Sequence, residues 1–253
     1  MGFFDLLNPV FTGIEAYCLS WLPAWTRVAL YGLGSGIVTM LLYAKLSNQD
    51  ALADGKQASK EALTRLRELD PEAEFDVVLA TMRKAIIEPL KHAKLAAGPA
   101  LWASLPLVFI LVWLDNSYSY EAPSAGSVIQ VLTEPFVPLQ EGDGVHRSEG
   151  QAYAVTWPES GPIELKGLTG DLIVSIPATT HIPLIHKREW WNILIGNPAG
   201  YIDESAAITS VEITIPPGEL INSGPHWLRS WLIFYFSALM ATAIAIKVKF
   251  KIA

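Results

Sequence analysis

The side chains that most often carry out chemistry are few in this sequence, and their spacing fits no ligand set. His181 and His186 lie five residues apart around Pro183, which matches neither one face of a helix nor alternate positions of a strand, and no third ligand is evident. Cys18 is the single cysteine, which excludes an intrachain disulfide and a cysteine-cluster metal site. We therefore predict no metal site and no cofactor.

Motifs for nucleotide binding and hydrolysis give no better support for an enzyme. Gly32, Gly34 and Gly36 resemble a nucleotide loop, but no strand precedes them, and we predict instead a small-residue face for close helix packing. Trp190-Trp191 suggests a carbohydrate platform, a membrane contact or a core; no acidic pair lies beside it, which favours core or membrane contact. With no Gly-x-Ser-x-Gly motif and no phosphate loop, we predict that the protein is not an enzyme.

Three apolar segments organise the chain, of which 51% of the residues are hydrophobic. They cover residues 26–44, 95–114 and 227–246. A helix of about 20 apolar residues crosses a hydrocarbon core of about 30 Å. The sequence therefore predicts an α-helical membrane protein with three transmembrane helices and sizeable aqueous parts.

Residues 45–94, between the first two apolar segments, predict a helical hairpin. Asp70 and Pro71 predict the junction, with Asp70 as N-cap and Pro71 in the first turn of the second helix. Each helix keeps an apolar stripe, which predicts an antiparallel coiled coil. The stripes consist of Leu52, Leu63, Leu66 and Leu69 in the first helix, and of Phe75, Val78, Leu79, Met82 and Ile86 in the second.

Residues 115–226 predict an all-β domain of the sandwich or barrel type. Short β-type runs alternate with turn signals rich in glycine and proline. Val211, Ile213 and Ile215 alternate with polar residues, as in a half-buried strand. The predicted strands are residues 127–132, 152–157, 163–166, 172–176, 191–195 and 207–215.

The charges predict which parts face the cytoplasm. Residues 45–94 carry nine Lys/Arg and nine Asp/Glu, whereas residues 115–226 carry four and fourteen. Basic residues that flank spans prefer the cytoplasm. We expect a bacterial inner (plasma) membrane protein with residues 45–94 and the basic tail 247–253 in the cytoplasm. Residues 1–25, a predicted interfacial helix, and residues 115–226 would then be periplasmic. Arg27, at the outer end of the first span, is either a headgroup anchor or a cation that faces a hydrated groove.

This plan resembles the Oxa1 superfamily, which includes the YidC insertases, EMC3, TMCO1 and related DUF106-type membrane proteins. The resemblance is best over residues 43–113. It rests on LSNQDAL (46–52) at the start of the hairpin, DPEAEFD (70–76) at its junction and Met82-Arg83-Lys84 on the way back to the membrane. The extracytoplasmic β domain is an addition to the core of that family.

The resemblance implies a hydrophilic intramembrane groove that eases the passage of short polar segments across the bilayer. The polar groove candidates are Arg27, Ser35, Thr39, Ser104, Ser237 and Thr242. Membrane-protein clients and the lipid bilayer would be its partners, with a ribosome received by residues 45–94, and no nucleic-acid sequence would be read. The alternative is a structural or assembly subunit of a larger membrane complex, whose β domain binds an extracytoplasmic partner.

Overall fold

The computed structural model describes residues 1–70, 73–142, 144–148, 150–178 and 180–252. Three of its helices are long and apolar enough to cross a membrane, and an antiparallel β-sheet domain lies between the second and the third along the chain. The chain divides into two compact units. One consists of Met1–Val28 and Phe109–Ile233, the other of Ala29–Val108 and Phe234–Ala253.

The helices follow the apolar segments and the predicted hairpin. Their bounds are α1 Asn8–Ile14, α2 Ala24–Leu46, α3 Gln49–Arg67, α4 Phe75–Tyr118, α5 His226–Arg229 and α6 Trp231–Phe250. Single turns of 3₁₀ helix lie at Phe3–Asp5 and Trp190–Ile193, and a π-helical turn lies at Glu15–Leu19. The three helices of membrane-spanning length are α2, α4 and α6.

Helix α4 contains both the second helix of the predicted hairpin and the second apolar segment. It runs unbroken over 44 residues, from the hairpin through the second apolar segment, and contains Pro89, Pro99 and Pro106. It begins at Phe75, where the Glu74 carbonyl accepts from the amides of Val77 and Val78. The predicted N-cap at Asp70 is therefore wrong; Pro71 and Glu72 lie outside the described residues. At the start of α3 the Asn48 side chain caps the helix by accepting from the Ala51 amide at 3.0 Å.

The predicted interfacial helix at the N-terminus is divided into short pieces. Pro9 lies in the first turn of α1, where its missing N–H costs no hydrogen bond. The π-helical turn then continues α1, and α2 begins after Pro23. At the other end of the chain, Ser230 in extended conformation separates α5 from α6.

Two antiparallel sheets form the β domain around one hydrophobic core. Strands β1 (Val128–Glu134), β2 (Val145–Arg147), β3 (Ala152–Thr156), β6 (Leu184–His186) and β7 (Ser210–Ile213) form a sheet of order β2-β3-β1-β7-β6. Strands β4 (Pro162–Lys166) and β5 (Leu172–Pro177) form a hairpin. Alternate residues of both sheets are buried in the shared core, including Val131, Tyr153, Leu165, Ile176 and Ile213.

One predicted strand is wrong and two observed strands are missed. Residues 191–195 form the end of a 3₁₀ turn and a loop, because Asn192 bonds to the local backbone instead of to a neighbouring strand. Strands β2 and β6 have three residues each, which is too short for a periodic signal.

Candidate functional site

The small-residue face of α2 packs closely against α6. A Cβ added at Gly32 would overlap the Tyr235 carbonyl oxygen, and one at Gly36 would lie 2.9 Å from the Leu239 carbonyl oxygen. Gly34 points to open space. Glycines four residues apart therefore allow the two backbones to approach, as in small-residue helix pairs in membranes.

Polar side chains line this α2–α6 seam. The Tyr235 hydroxyl donates a hydrogen bond to Ser35 Oγ at 3.0 Å, and both residues are buried. One turn further along α2, Thr39 Oγ1 is buried without a partner among the described residues. The Thr242 hydroxyl donates to the Ala238 carbonyl of its own helix at 2.8 Å. An unpaired hydroxyl in an apolar helix pair is a position where water or a polar segment gains a hydrogen bond.

The two remaining serine candidates lie away from these contacts. The Ser104 hydroxyl donates to the Leu101 carbonyl of α4 at 2.8 Å. Ser237 is exposed on α6. Ser35, Thr39 and Thr242 thus share the α2–α6 seam, whereas Ser104 and Ser237 contribute to the outer helix surfaces.

Arg27, at the start of α2, forms an ion pair with Glu15 of the π-helical turn. The same Glu15 oxygen accepts a hydrogen bond from the hydroxyl of Tyr118 at the end of α4. Both members of the pair are about four-fifths buried, and Arg27 Nε and Glu15 Oε2 have no partner in the described part of the chain. The arrangement neutralises the cation within the protein and joins α2, the π-helical turn and α4.

The hairpin encloses a groove between α3 and α4. Its volume is about 510 Å³, and its lining combines small residues such as Ala58 and Ala80 with charged ones such as Arg65 and Lys84. Deeper in the hairpin, Gly55 leaves room for His92, whose ring lies 3.2 Å from the position of an added Cβ. The buried positions of α3 are Leu52, Ser59 and Ala62. Leu52 and small side chains, not two leucine-rich stripes, thus form the facing surfaces.

Four of the five residues of the apolar stripe predicted for the second helix, Phe75, Leu79, Met82 and Ile86, face outward, whereas Val78 is half-buried, so the prediction that the stripe packs against the first helix is wrong. Phe75, Leu79, Met82, Ile86 and Leu90 are 47–77% exposed. They recur at spacings of three and four and therefore form one continuous face of α4. We call these five residues the α4 stripe.

In the β domain, the two histidines do not converge. The His186 ring contacts Trp191 and Tyr201, with centroids 5.1 and 5.9 Å apart, and so packs as an aromatic side chain. His181 lies in the loop before β6. Among the described residues, no three His, Cys, Asp or Glu side chains are placed to hold one metal ion.

Glu219, just before α5, shows a shifted titration. The pKa of its carboxyl is held below the ordinary value of 4.5, chiefly because Arg229 donates a hydrogen bond to it and secondly because of His226. Arg229 Nη1 donates to Glu219 Oε2 at 2.9 Å, and Arg229 Nε donates to the Gly224 carbonyl. These contacts form a clasp at the entry to α6.

Sequence reasoning missed Glu15, Tyr118 and Tyr235, the polar partners of Arg27 and Ser35. A signal was present for Glu15, since an acid within an apolar N-terminal segment requires a cation or water. Tyrosines near helix ends are common as interfacial anchors, so nothing in their spacing singled out Tyr118 or Tyr235.

Comparisons with known proteins do not assign the chain. No protein family and no solved structure matches it. Among curated proteins, the sulfite reductase [NADPH] flavoprotein alpha-component of Klebsiella pneumoniae subsp. pneumoniae is 28% identical over 207 residues. The match covers 76% of this chain but 33% of the flavoprotein, so the chain spans about a third of that protein's length. At this identity and coverage the similarity does not indicate a function for this chain.

Proposed function

We propose that the protein is a membrane-protein insertase or chaperone of the Oxa1 type. In this proposal α2, α4 and α6 span a bacterial inner membrane, and the hairpin of α3 and the first part of α4 lies in the cytoplasm. Client segments contact the hairpin first and then the polar α2–α6 seam. No covalent chemistry is required of the chain.

The α4 stripe is the observation that carries the proposal. It lies on a hairpin that carries nine basic and nine acidic residues, which favours a water-exposed element with a long apolar face. Contiguous exposed apolar surface on a soluble element marks an interaction site. The groove beside it adds charged side chains to the same hairpin. An apolar face with charged flanks matches the segments of a nascent membrane protein, which alternate apolar spans with short charged loops.

The α2–α6 seam supports the second step. A charge at the centre of a bilayer costs about 2.5–3.5 kcal/mol on insertion scales, and polar groups or water along its path reduce that cost. Ser35, Thr39 and Tyr235 place hydroxyls on facing surfaces of two apolar helices. Thr39, with its unpaired hydroxyl, is the position where we expect a client or water to bind.

The charge distribution supports the orientation. The last turn of α6 carries Lys247 and Lys249, Lys251 follows the helix, residues 247–253 contain no acid, and the β domain is strongly acidic. Under the positive-inside rule the tail and the hairpin are cytoplasmic and the β domain is periplasmic.

The alternative function is a fixed subunit of a larger membrane complex. The β domain favours it, because two sheets with a shared core form a substantial folded domain outside the predicted groove. A surface cavity of about 1010 Å³, lined by residues such as Pro138, Leu172 and Tyr201, would accept part of an extracytoplasmic partner.

Site-specific photocrosslinking in native membranes separates the two functions. The probes belong at Met82 in the α4 stripe and at Thr39, Ser104 and Ser237, with Lys60, exposed on α3, as the control position. Crosslinks from Met82 and Thr39 to short-lived nascent membrane proteins, lost when translation is blocked, support the insertase. Crosslinks to one resident protein that persist without translation contradict it and favour the complex subunit.

A further inference from the structure

The loop that follows β6 presents its apolar residues outward and its polar residue inward. Trp190, Trp191, Ile193, Leu194 and Ile195 are 39–78% exposed, whereas Asn192 is 1% exposed. This reverses the usual placement, in which a surface loop buries its apolar residues and exposes its polar ones. We call residues 190–195 the tryptophan loop.

Hydrogen bonds hold the tryptophan loop in this conformation. Asn192 Oδ1 accepts from the Glu189 amide at 2.7 Å, and Asn192 Nδ2 donates to the Ile195 carbonyl at 3.1 Å. The exposed apolar side chains are therefore displayed by a fixed backbone and not by a loose segment.

The N-terminal segment of the same unit is tied to this loop. The Phe4 amide donates to the Leu194 carbonyl at 2.9 Å. The buried Asp5 carboxylate accepts from the amides of Gly2 at 2.6 Å and Gly196 at 2.8 Å. The segment adds exposed apolar side chains of its own, namely Phe3, Leu6, Leu7, Val10, Ile14, Tyr17, Trp21 and Trp25.

These contacts also fix the level of the loop along α4. The rings of Phe3 and Phe4 pack on Phe109, with centroids 5.4 and 5.1 Å away. Phe109 precedes Asp115, the first charged residue after the apolar part of α4, by six residues, which at 1.5 Å per residue is about 9 Å along the helix axis. The hydrocarbon boundary of a spanning helix lies at the end of its apolar segment. The loop is thus linked to α4 on the hydrocarbon side of that boundary.

We propose that the tryptophan loop and the N-terminal segment insert together into the membrane leaflet on the side of the β domain. Their shared surface is rich in tryptophan and large aliphatic residues, and the N-terminal segment packs on Phe109 of α4. Tryptophan is enriched at the membrane–water boundary, and surface-lying apolar elements sink about 5–10 Å into it. The inference rests on the proposed membrane location of α4, and it goes beyond the insertase function by making the β domain itself a membrane-bound part.

Nitroxide labels on the full chain test this placement. In a Cys18→Ser background, single cysteines replace Ile193 in the loop, Gln151 in the turn between β2 and β3, and Met240 on the exposed face of α6. Each labelled protein is reconstituted alone into vesicles of phosphatidylcholine and phosphatidylglycerol. Collision with oxygen, which concentrates in lipid, is compared with collision with a water-soluble nickel chelate. All three replaced residues are exposed, so the substitutions leave the packed core intact.

We expect the label at 193 to be protected from nickel and accessible to oxygen, at a depth of about 5–10 Å below the headgroups. The label at 151 should react as in water. If the label at 193 is as accessible to nickel as the label at 151, while the label at 240 lies in lipid, the inference is overturned. The membrane location of the helices then remains intact. A loop that binds a protein partner instead of lipid would also be accessible to nickel, because the vesicles contain no other protein. A label at 240 in water overturns the membrane location and this inference together.

Discussion

The hydroxyl of Tyr235 in α6 donates a hydrogen bond to Ser35 Oγ in α2 at 3.0 Å, and the two residues are buried on facing surfaces of the helices. The bond lies beside Gly32, whose missing Cβ allows the Tyr235 backbone to approach. Close packing and a side-chain hydrogen bond thus act at the same place in the seam. Their contributions can be separated by substitution.

The Ser35–Tyr235 bond should contribute modestly to the stability of the helix pair. We expect Tyr235→Phe to lower the free energy of unfolding by about 1 kcal/mol, in the range of buried hydrogen bonds. Ser35→Ala should have a similar effect, and the double variant should lose less than the sum, with a coupling of about 0.6 kcal/mol. Unfolding of the reconstituted protein in bicelles measures each value. Strictly additive losses would show that the bond contributes nothing.

Gly36 and Gly34 should respond to alanine with opposite signs. At Gly36 the added Cβ would lie 2.9 Å from both Leu239 O and Thr242 Cβ, so Gly36→Ala should destabilise by about 1–3 kcal/mol. At Gly34 no atom of the described residues lies within 4 Å, so Gly34→Ala should stabilise by about 0.5–1 kcal/mol through helix propensity. The same bicelle assay compares them. Equal effects would mean that the seam does not depend on close approach at Gly36.

Periodicity predicts the helices because an apolar segment of fixed length has few structural solutions. Helices α2 and α4 cover the first two predicted segments, α6 covers the third from residue 231 after the break at Ser230, and the alternation of Val211 and Ile213 predicts β7. The small-residue face of α2 is also visible in the sequence, since glycines four residues apart share one side of a helix.

Partners across the fold are harder to predict, because they depend on tertiary contacts. Glu15 and Arg27 lie twelve residues apart, and Tyr118 meets them from a position 103 residues from Glu15. The periodicity of the apolar stripe of α4 is predicted correctly, but its packing against α3 is not. The spacing of apolar residues shows that they share a face and does not show what that face contacts. In the sequence Asn192 is an ordinary turn residue, and its two hydrogen bonds to the backbone are known only from the structure.

Breaking the Glu15–Arg27 pair should cost more than removing a surface ion pair. Glu15→Gln leaves the cation about four-fifths buried without its counter-charge, and we expect a loss of about 2 kcal/mol, below the value for a fully buried pair. Arg27→Lys, which keeps the charge, is the matched control and should lose less. Tyr118→Phe should have a smaller effect than Glu15→Gln, since it removes one neutral donor. Thermal unfolding in detergent ranks the three variants, and no loss for Glu15→Gln would contradict the role of the pair.

Acid should loosen the clasp between Glu219 and Arg229. The folded protein holds the pKa of Glu219 below its ordinary value of 4.5, so the clasp stabilises the fold above that value and is lost as the pH falls through the lowered pKa. The Leu220 amide, which donates to the Arg229 carbonyl at 2.9 Å, is a local reporter. Its protection from hydrogen exchange, corrected for the intrinsic pH dependence of exchange, should drop in that window. The Glu219→Gln variant should show low protection at every pH. If its protection still drops over the same pH window as in the original protein, another group causes the drop.

The α4 stripe should matter for clients but not for folding. Leu79 and Ile86 are exposed, so the double variant Leu79→Asn, Ile86→Asn should change the free energy of unfolding by less than about 0.5 kcal/mol per site. It should nevertheless weaken crosslinking from Met82 to nascent chains severalfold, because it interrupts the apolar face on both sides of the probe. Arg83→Gln, an exposed change on the same helix but outside the stripe, is the control and should leave the crosslinks unchanged. Equal crosslinking in the two variants would remove the stripe from client binding, whereas a large fall in stability would show that the stripe is packed in the native protein.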